Sequence, residues 1–368
     1  MSVRSVYSIV MPEKLSRVVI FFAVSLIMTS HVHAAGPAPQ VPQLHWSQLA
    51  PLPDREGLAS PFAGASGGAL VVAGGANFPD KRPWEGGIKK WYDSTFILKD
   101  PTASWQSGPA LPRPIAYGVS ISYNNSLICI GGGDAKQHFA EVFSLQWDGQ
   151  KLISTKFPDL PKPAAFMAGA LAGDTVYIIG GIQAPADTAA LNTLWSLDLT
   201  DIKAGWRSLP ACPGGARILP VAASHDDAFY VFSGASLFAD RDNKPARKYL
   251  RDAWRFSPKW GWKQLADLPR AAVAAPSPAP VINKRILIIS GDDGENVNFK
   301  PEPKHPGFPR TTLAYDVATN AWLTLPSPIS RATAPTVPWR NLVIIPNGEE
   351  RPGYRSNQIW SVESAPNP

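Results

Sequence analysis

Apolar runs of five or six residues punctuate this chain at a nearly fixed spacing, and most end in a glycine pair or its remnant. Leu70, Val71, Val72 and Ala73 run into Gly74 and Gly75; Leu127, Ile128, Cys129 and Ile130 run into Gly131 and Gly132; Val176, Tyr177, Ile178 and Ile179 run into Gly180 and Gly181. The pattern returns with Phe229 to Gly234, Ile286 to Gly291 and Leu342 to Gly348, where Ser233, Ser290 and Asn347 replace the first glycine. Short, continuous apolar runs closed by turn residues predict buried strands. From Gly74 through Gly131, Gly180, Gly234 and Gly291 to Gly348 the intervals fall between 49 and 57 residues.

A period near fifty residues built from short strands is that of kelch repeats. Each unit carries a second mark: after the glycine come an aromatic strand, a strand that usually holds Trp, and then Leu-Pro. The pairs are Trp46 with Leu52, Trp105 with Leu111, Trp206 with Leu209, Trp262 with Leu268, and Trp322 with Leu325; the second unit keeps Leu160 without the Trp. Small-residue strands such as residues 116–121 then suit the crowded axis of a propeller, with the Trp rings filling the wedges between blades. The last unit supplies only three strands, and residues 45–49 supply a fourth. The expected fold is therefore all-β, a six-bladed kelch-type propeller over residues 42–368, closed by the N-terminal strand.

The N-terminus reads differently. Arg4, Lys14 and Arg17 precede an apolar run over residues 18–28, followed by the small-residue pattern Val32, His33, Ala34. This predicts a secretory signal peptide over 1–34 and an extended linker over 35–41. The expected product is an exported, soluble, periplasmic protein with no membrane association after cleavage.

Composition agrees with many turns and few helices: 45% apolar, 17% charged, 29 Gly and 38 Pro in 368 residues. A net charge of +6 suits acidic ligands but is too weak to argue for nucleic acid. The two cysteines, Cys129 and Cys212, are expected as buried thiols. No nucleophile elbow and no metal-spaced His pair occurs, and His45, His138, His225 and His305 are scattered.

Strand bookkeeping then locates candidate chemistry. The loops between strands 4 and 1 share a face with those between strands 2 and 3. The 4–1 loops carry Arg55, Arg113, Lys162, Arg217, Arg270 and Arg331, an expected ring of cations at one mouth of the channel. The 2–3 loops after Gly75, Gly234 and Gly291 are long, and the one after Asn347 holds Glu349, Arg351 and Arg355. A carboxylate and a guanidinium six positions apart can face one small anionic ligand; a solvated turn is the plain alternative.

Three stretches give a resemblance: residues 347–355 (Asn-Gly-Glu-Glu-Arg-Pro-Gly-Tyr-Arg), residues 112–120 with 124–127, and residues 62–65 with 73–78. Together they resemble the N-acetylneuraminate epimerases, periplasmic kelch propellers that act as sialic acid mutarotases. The order of the stretches is that of a cyclically permuted ring, which a closed propeller with adjacent termini tolerates. The resemblance implies Glu349 as general base and Arg355 as the partner of the substrate carboxylate. The next candidates are Arg113, for a second anion contact, and Tyr117, for proton transfer or hydrogen bonding, with Asn77 and Arg351 as further substrate-binding residues. It implies a small anionic sugar as substrate, interconverted between α and β anomers without metal or organic cofactor. A non-catalytic glycan- or protein-binding propeller, or a mutarotase of another acidic sugar, stands as the alternative.

Overall fold

The computed structural model describes residues 43–365, so the expected signal peptide and linker lie outside the described residues. Six four-stranded antiparallel sheets make six blades of a β-propeller. The first blade takes Phe62–Ser66, Ala69–Ala73, Thr95–Leu98 and Gln106–Ser107 in that order, and the next four repeat the plan. The sixth joins the two ends of the chain: Leu44–Leu49 pairs along Ile359–Ser364, which pairs with Leu342–Pro346 and then Val337–Trp339. Trp46 meets Trp360 edge-on within this sheet, their centroids 6.5 Å apart. The ring thus closes as the strand count requires, and its main sheets leave no seam open.

Because strand side chains alternate between two faces, a strand buried on both must be apolar throughout. Val71 packs toward the second blade with Leu111, Leu127 and Cys129, whereas Leu70 and Val72 pack toward the sixth with Val337 and Ile344. One apolar seam of this kind lies between every pair of neighbouring blades. The outer Trp residues stitch the seams. The indole Nε1 of Trp105, Trp206, Trp262 and Trp322 donates to the carbonyl of Ala50, Pro158, Pro210 and Ala266 in the preceding blade, at 2.8–2.9 Å.

That stitch corrects one pairing. Ala50, Pro158 and Ala266 each stand two residues before a buried Leu, but Pro210 stands two before Cys212, which is 1% exposed. The buried position belongs to Cys212 rather than Leu209, which ends the strand Arg207–Leu209. Cysteine behaves as a small hydrophobe here, and burial pushes its thiol up to about 11. Both cysteines are free and buried.

The glycine pairs answer to backbone geometry. The second member has a φ of +84 to +102° in all six units, and it is Gly each time. The first lies at +55 to +71°, which Ser and Asn also adopt. A Cβ on Gly74 or Gly180 would stand 2.4 or 2.3 Å from a carbonyl of the neighbouring blade. At the equivalent place Ser233 and Ser290 use the hydroxyl instead, accepting from Ala272 N and Arg331 N at 2.8 Å.

Candidate functional site at the channel mouth

The inner strands begin with one positive-φ residue per blade: Ser60, Tyr117, Phe166, Leu219, Ala274 and Thr333. Each amide donates to the carbonyl of its counterpart in the preceding blade. Tyr117 N donates to Ser60 O, Phe166 N to Tyr117 O, and so round to Ser60 N and Thr333 O, at 2.7–3.1 Å. A closed circle of six hydrogen bonds therefore frames the mouth of the channel. Left-handed backbone at a non-glycine residue costs about 1–3 kcal/mol and persists only where its surroundings enforce it. The circle supplies that enforcement and fixes the side chains at the rim.

Just outside this circle a backbone bridge repeats in all six blades, pairing residue 59 with 76, 116 with 133, 165 with 182, 218 with 235, 273 with 292 and 332 with 349. Glu349 occupies one of these positions, held by two hydrogen bonds of 2.8 Å to Ala332. It opens the hairpin Glu349–Arg351 with Tyr354–Arg355, in which Glu349 and Arg355 are direct cross-strand partners. The six-residue separation in sequence thus becomes an ion pair, with Arg355 Nη1 2.7 Å from Glu349 Oε1. The side chains are 4% and 15% exposed. Glu349 Oε1 also accepts from Gly353 N at 2.9 Å.

The Arg355 guanidinium is under-used. Its Nε and Nη1 are buried and make no aligned hydrogen bond within the protein, the close approach of Nη1 to Glu349 being off-line. A buried donor without an acceptor is costly, and it marks a place where a ligand oxygen is wanted. Arg355 covers the Phe78 ring, 4.8 Å from its centroid.

The long loop of the first blade, the sixth blade's neighbour, supplies the adjoining wall. Its short strands Ala76–Asn77 and Lys90–Trp91 pair with each other and bring Phe78, Lys89 and Trp91 to the rim. Lys89 Nζ sits over the rings of Tyr117, Trp91 and Phe78 at 5.1, 5.5 and 5.7 Å, and donates to the Tyr117 hydroxyl at 3.1 Å. Tyr117 packs at a tilt against Phe166, centroids 4.6 Å apart and planes at 34°, and Phe166 in turn meets His138 edge-to-face. Burial lowers the affinity of His138 for a proton, and its Nδ1 lies 3.0 Å from Ile182 O.

Arg351 braces the site from behind. It covers the Tyr354 ring at 3.9 Å and donates to Pro303 O and His305 O, tying the hairpin to the fifth blade's loop. Arg82 covers the same Tyr354 ring at 4.4 Å and pairs with Glu56 at 2.9 Å. Asn77 is 1% exposed; its amide nitrogen donates to Gly57 O and Asp54 Oδ1, and its oxygen accepts from Tyr92. Its polar atoms therefore secure the loop rather than reach the mouth.

Arg113 lies apart from this cluster. It pairs with Glu141 at 3.0 Å, covers Phe139, and lines a lateral groove with Phe143, Ser154 and Lys156. The expected ring of six cations is likewise not what the structure shows. Arg217 and Arg331 are 0% and 1% exposed, and Arg270 is occupied by Ala271 O and Thr311, while Arg55 and Lys162 are solvated. The 4–1 loops turn outward before the inner strands begin, so their bases point into seams or to solvent. What the sequence reading missed is the set Phe78, Lys89, Trp91 and Phe166. Phe78 stood within a resembling stretch, but nothing periodic marks a single Lys inside a long loop. Among the described residues, no group of three or more His, Cys, Asp or Glu side chains is placed to hold a metal.

A family model described as N-acetylneuraminate epimerase matches residues 32–154 and 157–300. The matched stretches include Phe78, Lys89 and Tyr117 and end before Glu349. The N-acetylneuraminate epimerase of Haemophilus influenzae (strain 86-028NP) is 29% identical over 228 residues, 54% of this chain and 57% of the relative. That of Salmonella typhi is 41% identical over 102 residues, 24% of this chain and 26% of the relative. The chain spans about half the length, or less, of the curated relatives it matches.

Proposed function

The chain belongs to the N-acetylneuraminate epimerase family, and from that premise we propose that it is an exported mutarotase interconverting the α and β anomers of N-acetylneuraminate. The observation that carries the reading is the Glu349–Arg355 pair: a carboxylate at the channel mouth beside a buried guanidinium with unfilled donors.

Mutarotation of a cyclic 2-keto acid needs one proton removed and another delivered. Glu349 takes the proton of the anomeric hydroxyl. The electron pair of that O–H becomes the carbonyl, and the bond from the anomeric carbon to the ring oxygen breaks as that oxygen gains a proton. The open-chain ketone rotates, and attack of the freed hydroxyl on the other carbonyl face closes the opposite anomer. General-base assistance of this kind contributes about 10²–10⁴-fold. The substrate carboxylate is geminal to the reacting centre, so a guanidinium fork beside the base sets the orientation of the anomeric carbon. Arg355 is that fork. Phe78 and the packed Tyr117 and Phe166 rings suit the apolar face of a sugar ring. Asn77 and Arg351 support these groups through the loop and the hairpin.

Proton NMR of freshly dissolved α-N-acetylneuraminate, with and without the protein, tests this. Accelerated approach to an unchanged α/β equilibrium is expected, with Glu349→Gln losing about 10²–10⁴-fold in kcat while its circular dichroism stays native. Line broadening without acceleration would instead identify a sugar-binding propeller.

A further inference from the structure

We propose that Lys89 is a positioning residue that makes the Tyr117 hydroxyl the proton donor to the ring oxygen, an inference that rests on the mutarotase reading. An ammonium has three donors and no acceptor, so in the 3.1 Å contact the phenol oxygen must be the acceptor. The hydroxyl hydrogen of Tyr117 is then directed away from Lys89. Tyr117 is 7% exposed, its ring is packed against Phe166, and its backbone is locked at φ +64° in the circle of six hydrogen bonds. Its hydroxyl therefore has one fixed place and one free donation.

Lys89 is fixed as well. Three rings, Phe78, Trp91 and Tyr117, surround its Nζ, and cation–π attraction to each holds a charge that a flexible stem would otherwise release to water. Phe78 is shared: the Lys89 ammonium lies 5.7 Å and the Arg355 guanidinium 4.8 Å from its centroid, so the Lys89–Tyr117 dyad and the Glu349–Arg355 pair adjoin one aromatic ring. A base on one side and a neutral hydroxyl on the other match the two protons of the reaction. As the bond to the ring oxygen breaks, the Tyr117 O–H proton passes to that oxygen and Tyr117 is left as phenolate. The ammonium at 3.1 Å offsets the new charge in place, with no reorganisation needed. On reclosure the hydroxyl returns its proton to Tyr117, and Glu349 returns the other to the new anomeric oxygen. Atoms and charge balance over the cycle without a further reactant.

Lys89→Met keeps an unbranched apolar stem, one atom shorter, to pack among the rings, but has no donor. Its expected effect is a fall in kcat of about tenfold to a hundredfold, as for loss of a hydrogen bond to a charged group, with KM little changed. Tyr117→Phe should fall at least as far, and the double variant no further than Tyr117→Phe alone. Lys89→Arg should recover part of the loss. Unchanged kcat in Lys89→Met, additive losses in the double variant, or a raised KM at constant kcat would overturn the proposal; the last would make Lys89 an anion contact.

Should the unaltered protein fail to accelerate N-acetylneuraminate anomerisation, the mutarotase reading fails first. The dyad is then read without turnover, from the Tyr117 ¹³Cζ resonance of tyrosine-labelled protein, assigned by Tyr117→Phe. That resonance should move in Lys89→Met; if it stays put, the dyad itself is wrong.

Discussion

Two buried arginines show what separates structure from site in this propeller. Arg217 lies in the seam between the third and fourth blades, its side chain 1% exposed. It donates twice to Asp252, at 2.7 and 3.0 Å, and once each to Ser233 O and Gly215 O. Asp252 is held in turn by the Trp254 indole at 2.6 Å. Arg355 is almost as buried, yet its Nη1 has only an off-line approach to one carboxylate, at 2.7 Å, and its Nε has no acceptor. Both are arginine–carboxylate pairs, and a count of salt bridges would score them alike. The difference lies in completion. A satisfied network rigidifies, whereas a half-satisfied one is destabilising by itself and waits for a ligand.

The strongest way to break this comparison is to remove the completed pair. Arg217→Met leaves Asp252 partly buried without its cation, and Asp252→Asn leaves the guanidinium without its anion. Each should cost about 3–5 kcal/mol of stability, read as a lower urea midpoint at unchanged slope. Turnover per folded molecule should not change, since the seam lies outside the mouth. If activity fell as far as stability, Arg217 would belong to the site and the division would fail.

Arg355→Met should give the inverse pattern. Losing hydrogen bonds from a guanidinium to a substrate carboxylate is worth about 1.5–3 kcal/mol, so KM should rise about tenfold to a hundredfold. Stability should fall less than in Arg217→Met: Glu349 also loses its cation, but Arg355 makes one off-line ion pair where Arg217 makes four hydrogen bonds, and a buried Nε without an acceptor disappears with the side chain. A large drop in stability with KM intact would show that Arg355 serves the hairpin rather than a ligand.

These contrasts also explain how much could be read in the chain. The propeller was legible because its signals repeat. Six apolar runs, six turns with a φ near +90° at Gly, and a Trp in or just before most outer strands each say the same thing several times. Leu209 misled because it stands beside a Pro, while the seam at that point is filled by Cys212, a residue whose burial a Leu-Pro pattern does not anticipate. Glu349 and Arg355 were legible because a hairpin turns a separation of six into a cross-strand pair. The adjoining wall was not. Lys89 and Phe78 reach the rim through a loop whose path depends on contacts with another blade, such as Gly353 against Trp84 and Tyr354 against Trp84 at 5.4 Å. No local pattern encodes such contacts. The ring of six bases failed for a related reason: equal places in a repeat fix the backbone, but burial and partners fix what each side chain does.

Arg113 gives the smallest effect and sharpens that last point. It sits at the head of an inner strand within a stretch resembling the epimerases, so sequence alone sets it beside Tyr117, four residues on. In the structure the two side chains part. Tyr117 enters the circle at the mouth, and Arg113 turns to the flank, where it and Glu141 are each 43% exposed. An ion pair so open to water is worth about 0–1 kcal/mol and is weakened by salt. Arg113→Met should therefore move the urea midpoint barely at all and leave KM for N-acetylneuraminate within about twofold, a change under 0.5 kcal/mol. A KM rise comparable to that of Arg355→Met would place a second anion contact on the flank. The mouth would then no longer account for binding, and the comparison between completed and waiting arginines would need a third member.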